Sequence, residues 1–411
     1  MQYSHRYPAY PTQEVAGDLE RHIDIHRQAY NYTRYEYQNV DADTIGSAYK
    51  HHSRLPDWKD DFPVFTEVNA KALQRTVTRF YQNLSGLKSL KEKRHKVGEL
   101  KWKSPKEYQS ITYSQHGFEL KNTSGRRATL WLSKIGEIKI RYHREIPDES
   151  EIKEVTIKKE TTGDWFVSFG LEREEASLPE KTDVDLLNAS NCVGIDIGIQ
   201  NYIHTSDGKT VDWLDLSDEY ERVRHEQRNL SRKEDGSNNY ERQRRTVAKV
   251  KRHIQQKIKD FQHKLSTWLV REYDAVFVED LDVKPMLEDS HNARNKQDAA
   301  WRQFITLLEY KAELYGTHFV QVDARGSTKE CAKCGTETAK PIWVREHACP
   351  ACGFECDRDA NAALNILQRG FDELGLGWPE STPVETALPT DTDDFQEVSA
   401  KRVVETGSLG A

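Results

Sequence analysis

Long apolar runs are missing from this chain: 36% of its 411 residues are hydrophobic and mean hydropathy is −0.84. A membrane-crossing helix needs about 20 consecutive apolar residues, so a soluble protein is expected, with no secretory signal opening it. Cysteine is scarce as well. Of six, five crowd between Cys331 and Cys356 and Cys192 stands alone. That distribution speaks against a disulfide framework spread through the fold and suits a reducing cytoplasm. Net positive charge is the third absence: the balance is −7, which, taken whole, would argue against a nucleic-acid partner. The deficit is local. Residues 371–411 hold nine acids against Lys401 and Arg402, and the preceding 370 residues balance at zero. This acidic tail, rich in Thr, Pro and Gly, is expected to be a disordered appendage. The length allows two or three domains with cores of their own.

What is present starts with two C-x-x-C knuckles, Cys331/Cys334 and Cys349/Cys352, fourteen residues apart. Zn²⁺ takes four thiolates in a tetrahedron, and two tight turns can close such a site. Gly335 and Gly353 follow each second cysteine, where the turn favours a residue without a Cβ. Paired disulfides or a redox C-x-x-C are the alternatives. Nothing marks a secreted protein, and a redox site needs only one pair. A structural zinc ribbon is therefore expected. Directly after it comes Asp357-Arg358-Asp359-Ala360-Asn361-Ala362-Ala363-Leu364-Asn365-Ile366, an apolar helix pattern with an Asp placed as N-cap. A cap explains one of the two aspartates.

Two further stretches carry acids in apolar surroundings. Cys192-Val193-Gly194-Ile195-Asp196-Ile197-Gly198 and Ala275-Val276-Phe277-Val278-Glu279-Asp280-Leu281 each predict a buried strand. A buried carboxylate costs several kcal/mol unless a metal or partner compensates. Gly194 and Gly198 fit a place where a ligand approaches the backbone. Either acid alone could be a strand-end turn residue. Two such strands together with Asp359 fit three acids gathered around divalent metal better.

Elsewhere the chain reads as helices and strands with basic faces. A strand near residues 3–10 precedes a helix from Val15 to about Tyr37, and a second helical stretch spans roughly 64–97 and ends in Lys88, Lys91, Lys93, Arg94, His95 and Lys96. Residues 111–175 alternate with period two and predict an antiparallel β module; Glu172–Asp185 reads as a linker. Residues 221–260 hold thirteen Lys/Arg against six acids. There Val247, Val250, Ile254 and Ile258 recur at helical spacing. One face packs and the other, with Arg242, Arg244, Arg245, Lys249, Lys251 and Arg252, is either a solvated charged face or a phosphate-tracking surface. Sign bias favours the second. The stretch Trp301–Ala312 predicts an amphipathic helix.

Taken together, these residues resemble the TnpB (OrfB) family of transposon-encoded proteins, relatives of the compact type V CRISPR effectors. The resemblance rests on G-I-D-I-G at 194–198, F-V-E-D-L at 277–281, W-x-x-F-x-x-L-L-x-Y-K-A at 301–312, the four-cysteine ribbon, and D-R-D-A-N-A-A-L-N-I at 357–366. It is firm over the C-terminal half and one of layout over the N-terminal half. It implies a multi-domain α/β protein. A wedge-like antiparallel β-barrel would be built from 1–14 and 111–185 (linker included), interrupted by a helical recognition region at 15–110. An RNase H-like (RuvC) nuclease domain would follow at 190–326, then the zinc ribbon at 327–356, the final RuvC-like helix at 357–370, and the tail at 371–411. The resemblance also implies that Asp196, Glu279 and Asp359 are catalytic and hold Mg²⁺ or Mn²⁺, while Cys331, Cys334, Cys349 and Cys352 hold structural Zn²⁺. Asp357 would be a cap or a substitute ligand. The implied partners are a guide RNA from the transposon end and a double-stranded DNA target cut beside a short flanking motif. The setting would be a prokaryotic cytoplasm, at the nucleoid, without membrane contact. The rival readings are a transposase that cuts and joins strands, and an RNA-guided DNA binder that does not cut.

Overall fold

The computed structural model describes residues 1–40, 45–92, 96–114, 116–198, 201–280, 300–323, 325–338, 341 and 344–377. Leu281, the basic residues Lys93, Arg94 and His95, and the tail from 378 onward lie outside them. The chain divides into two compact units, Met1–Ser177 and Leu178–Ala411.

In the first unit, strand β1 (Gln2–Tyr10) is followed by helices α1 (Gln13–Asn39), α2 (Ala48–His52), α3 (Leu55–Asp61) and α4 (Ala70–Glu92), then strands β2 (Ser110–Ser114), β3 (Phe118–Ser124), β4 (Arg127–Leu132), β5 (Gly136–Arg141), β6 (Ser150–Lys159) and β7 (Trp165–Arg173). The Thr12 hydroxyl caps α1 by accepting from the Val15 N–H, which stops β1 and starts the helix within three residues. The seven strands form one sheet in the order β2-β6-β7-β1-β5-β4-β3. Its edge strands β2 and β3 are consecutive in the chain, from Ser114 to Phe118. Laid flat, seven strands would hold their edges about 29 Å apart, whereas four Cα steps reach at most about 15 Å. The sheet must curl. Its inner face carries Tyr7, Leu130, Val155, Val167 and Phe169, and Leu19, Ile23, Ala72 and Phe80 of α1 and α4 pack into the same core. The β-rich reading of 111–175 matches these strands. Strand β3 alternates least, since its polar edge sequence FELKNTS has little buried to alternate with. The expected linker begins later than Glu172, because β7 continues to Arg173.

Burial leaves His26 of α1 neutral. Its Nδ1 lies 2.7 Å from the Thr76 hydroxyl, and desolvation pushes its pKa down to about 3; His5 falls to about 4 for the same first reason. The folded pKa lies below the unfolded value near 6.5, so the unfolded chain binds more protons as pH falls. Stability is complete above about pH 6.5 and drains away between there and pH 4, by up to about 1.4 kcal/mol per pH unit per histidine. Thermal melts from pH 7.5 to 4.5 should show the loss, and His26→Gln should flatten its slope.

The second unit holds strands β8 (Cys192–Ile197), β9 (Asn201–Thr205) and β10 (Thr210–Asp212), helices α5 (Ser217–Ser231) and α6 (Asn238–Glu272), strand β11 (Ala275–Glu279), helix α7 (Trp301–Tyr315), strand β12 (His318–Val322), the small hairpin β13 (Glu346–Ala348) and β14 (Glu355–Asp357), and helix α8 (Arg358–Glu373). The five-stranded sheet runs β10-β9-β8-β11-β12, with β8, β11 and β12 mutually parallel and β9 antiparallel to β8. The sheet is covered on both sides. Val193, Ile195, Ile197, Val276 and Val278 pack with Leu265, Leu269, Phe304 and Leu308 of α6 and α7. The alternate residues Cys192, Ala275 and Phe277 pack with Ile366, Leu367 and Phe371 of α8.

Two expectations change here. The basic stretch 221–260 is not one helix: it is divided between α5 and α6 by a turn in which Gly236 has φ +79° and the Ser237 hydroxyl accepts from the Tyr240 N–H to start α6. Gly194 also serves a different purpose from the one expected. A Cβ there would lie 2.2 Å from the Ala363 carbonyl oxygen and 2.4 Å from the Leu367 nitrogen. The missing side chain admits α8, not a ligand. Gly370 does the same from the helix side, where a Cβ would meet the Phe277 ring at 2.1 Å.

Candidate active site and metal centre

Register and alternation deliver the first two acids. Val278 pairs with Ile195 in the parallel ladder, so Asp196 and Glu279 come next, side by side. Both share the sheet face of Cys192 and Phe277 by the period-two rule, which is the face that α8 covers. The third acid follows from the Gly194 contact. Ala363 stands over Gly194; Asp359 lies one helical turn earlier, about 6 Å along α8, and Asp196 two strand residues further, about 6.6 Å. The helix start is thereby carried to the carboxylate. Asp357 takes the capping role, accepting from the Asp359 and Ala360 N–H groups, which leaves Asp359 as the acid that faces the strands.

The surroundings are those of a low-dielectric carboxylate cluster. Glu279 and Asp359 are 6% and 8% exposed. Burial raises the pKa of Asp196 well above the ordinary range, and the negative charges of Glu279 and Asp359 raise it further. Glu279 is also raised, first by burial, against a hydrogen bond from Ser327 and the charge of Arg369. Like charges held this close favour either protons or a cation between them, which fits the oxygen-rich donor set that hard divalent ions take. Two guanidinium groups stand at Asp359: Arg345 donates to one carboxylate oxygen, and Arg358 lies 3.4 Å from the other. Arg345 was not anticipated from the sequence, because an arginine fourteen residues away is brought in only by the fold. Among the described residues, the one group of three or more ligand atoms lying within 4.8 Å of one another is the set of four cysteines.

That set is Cys331, Cys334, Cys349 and Cys352. The Sγ separations are 3.7 Å for Cys331–Cys352 and 3.5 Å for Cys334–Cys349, close to the edge of about 3.8 Å for a tetrahedron with 2.3 Å metal–sulfur bonds. All six cysteines are free thiols, so the disulfide alternative is set aside. The two knuckles repeat one geometry. Gly335 donates to the Cys331 carbonyl and Gly353 to that of Cys349, at 2.8 and 3.0 Å, and both glycines have φ +71°. Hydrogen bonding with Thr336 lowers the Cys334 thiol to about 6, whereas burial pushes the Cys331 thiol up to about 12. Cys356 lies beside this set on β14 and is not one of the four.

The predicted nucleic-acid residues lie on α6. Val247, Val250, Ile254 and Ile258 are its buried side. Arg242, Arg245 and Lys249 are exposed and fall with half-buried Arg252 on the opposite side at spacings of three and four. Arg244 is drawn to Glu241 at 2.8 Å, and Lys251 is exposed at the margin of the buried side. No described helix is long and apolar enough to cross a membrane.

Comparison with known proteins shows which family and fold the chain shares. Residues 301–366 match the family model described as "Cas12f1-like, TNB domain", and residues 177–289 match the OrfB_IS605 model, "Probable transposase". Among solved structures, the fold is similar to a Cas12f1–sgRNA–target DNA complex (TM-score 0.56, 16% identity, 86% of this chain and 83% of that one). It is also similar to the mini-RNA-guided endonuclease CRISPR-Cas_phi3 (TM-score 0.51, 10% identity, 93% and 94%). The fold is thus one shared with compact CRISPR effectors. A Streptomyces pristinaespiralis protein named "Putative RNA-guided DNA endonuclease" is 34% identical over 388 residues, 90% of either chain. InsQ of Escherichia coli K12, of the same description, is 26% identical over 266 residues, 60% of this chain and 63% of InsQ. The chain belongs to the TnpB (OrfB) family of transposase-associated proteins.

Proposed function

We propose that this protein is an RNA-guided, metal-dependent DNA endonuclease of an insertion sequence, with an RNase H-like (RuvC) site formed by Asp196, Glu279 and Asp359. The observation that carries the reading is their convergence: two acids in register on neighbouring parallel strands, and a third delivered by the helix that Gly194 admits. Mg²⁺ or Mn²⁺ held by these three carboxylates would supply Lewis acidity and an activated water for two-metal phosphodiester hydrolysis. The protein's own part is electrostatic. Burial keeps the acids in a low dielectric, where a cation gains most. Arg345 and Arg358 place positive charge at Asp359, which would attract a phosphodiester oxygen to the site. The cysteine set would hold Zn²⁺ in a structural role, since thiolates are soft ligands and the carboxylates hard ones.

In this reading the first unit comprises the wedge-like module and its helical insertion, and the second the nuclease domain with its ribbon, acting in a prokaryotic cytoplasm at the nucleoid. The guide is an RNA from the transposon end. Sequence choice is delegated to base pairing, apart from a short flanking motif read by the protein. The test is cleavage of a plasmid library by protein co-expressed with that RNA, in parallel with the Asp196→Ala variant. A Mg²⁺-dependent, guide-matched double-strand cut absent from the variant supports the reading. Bound RNA without cleavage points to a binder, and cleavage with strand joining but no RNA to a strict transposase.

The exposed row on α6 is the proposed phosphate-tracking surface. Reversing Arg245 and Lys249 to Glu should weaken RNA or heteroduplex binding about tenfold or more at physiological salt. It should also lower the slope of log affinity against log salt by about one for each phosphate that is no longer neutralised. Filter binding across salt concentrations checks both.

A further inference from the structure

The turn Gly326–Glu330, which leads into the first knuckle, is tied to both the carboxylate cluster and the cysteine set of the second unit. Ser327 is 2% exposed, and its hydroxyl donates to Glu279 Oε1 at 2.5 Å. The Ser327 carbonyl in turn accepts from the side-chain amide of Asn365 at 2.7 Å and from that of Asn361 at 3.4 Å. The same two amides donate to the Glu330 carbonyl at 2.8 and 2.7 Å. Asn361 Oδ1 then accepts from the backbone N–H of Ala332, next to Cys331, at 3.0 Å. Arg369 completes the strap by pairing with Glu330 at 2.8 Å and donating to the Asp323 carbonyl.

Two amide side chains on α8 thus meet backbone groups on either side of the first cysteine. Buried amides in this number are expensive unless satisfied, and a helix needs none of them to pack against the sheet. Their effect is to hold the Ser327 hydroxyl on one oxygen of Glu279, which leaves the other oxygen of that carboxylate for a cation. A ligating carboxylate that is itself hydrogen-bonded is oriented by its partner, and removing such partners weakens metal binding or activity by about 10–100-fold.

We propose that Ser327, strapped by Asn361 and Asn365, is the positioning residue for Glu279, so that the cysteine module sets the geometry of the carboxylate site. The inference rests on the nuclease reading above, and its test separates the two. Mn²⁺ binding to the full-length, RNA-bound protein is measured by electron paramagnetic resonance, with zinc content and melting temperature recorded for each variant. Glu279→Gln should abolish tight Mn²⁺ binding; if it does not, the carboxylate-site reading itself fails. Ser327→Ala should raise the Mn²⁺ dissociation constant about tenfold with zinc content and RNA affinity unchanged. Its cleavage should recover as Mn²⁺ is raised, while Ser327→Thr, which keeps the hydroxyl, should restore wild-type binding. If Ser327→Ala binds Mn²⁺ like wild type while Glu279→Gln does not, the positioning role is overturned. Should Ser327→Ala lose zinc or melt early, the threonine variant decides: recovered zinc and Mn²⁺ affinity support the role, and recovered zinc without Mn²⁺ affinity overturns it.

Discussion

Asp196→Asn is expected to abolish guide-directed cleavage, by more than about 10³-fold, while making the cation-free protein more stable. The first effect follows from removing a carboxylate from a cluster whose members act as a unit, where single losses approach the loss of the whole. The second follows from the raised pKa of Asp196. Its folded value lies above the unfolded one because burial and the charges of Glu279 and Asp359 penalise the carboxylate. A group of this sign contributes stability below its unfolded pKa and loses that contribution as pH rises through the folded pKa. Above its unfolded pKa the buried acid is a strain on the fold, and asparagine removes that ionisable group without changing shape. For a unit of this size, each kcal/mol relieved lifts the melting temperature by about 2–4 °C. Melts in chelator should therefore place the variant above wild type, and added Mg²⁺ should stabilise wild type more than the variant. A variant that melts below wild type in chelator at every pH would contradict this account of the cluster. Stability given up at a catalytic cluster is the usual trade between activity and fold.

The second large effect is expected from Cys349→Ala. Cys349 is 4% exposed and sits in the second knuckle, between Arg345 and the cap of α8. With one thiolate gone the tetrahedron cannot close, and an apparent binding free energy of about 10–16 kcal/mol for a structural zinc is largely forfeited. Zinc measured by mass spectrometry should fall from about one per chain to near none. Cleavage should fall with it even though no carboxylate has changed. Arg345 belongs to the segment entering the second knuckle and reaches Asp359, and the first knuckle is joined to α8 through Asn361. The five-stranded sheet should survive, since its two cores are built from strands and helices outside the ribbon. Circular dichroism near wild type with zinc and cleavage both lost is the expected combination. Full cleavage without zinc would show that the ribbon does nothing for the carboxylates.

The two predictions rest on residues of unequal legibility. Local chemistry was readable: C-x-x-C spacing dictates a knuckle whatever surrounds it, a carboxylate inside an apolar run demands an explanation, and Asp357 has the position and type of an N-cap. Alternation within β8 and β11 even determined that Asp196 shares a face with Gly194, and Glu279 with Phe277. Helix periodicity likewise separated the cationic side of α6 from its packed side, although the Gly236–Ser237 break was overlooked.

What the linear order left open was decided by packing across long separations. Gly194 looked like a ligand approach and is instead the gap into which α8 settles, a distinction that needs the helix 170 residues later. Ser327 carries no signal in sequence, and Asn365 none beyond its place in the 357–366 motif, since serine and asparagine are ordinary in turns and helices; they acquire a role only where burial forces every donor to find an acceptor. Arg345 reaches Asp359 because the ribbon folds back on α8. Types and faces come from local rules of period and spacing, which the sequence determined by itself. Partners across more than a few turns depend on which surfaces bury each other, and the tertiary structure alone decided those.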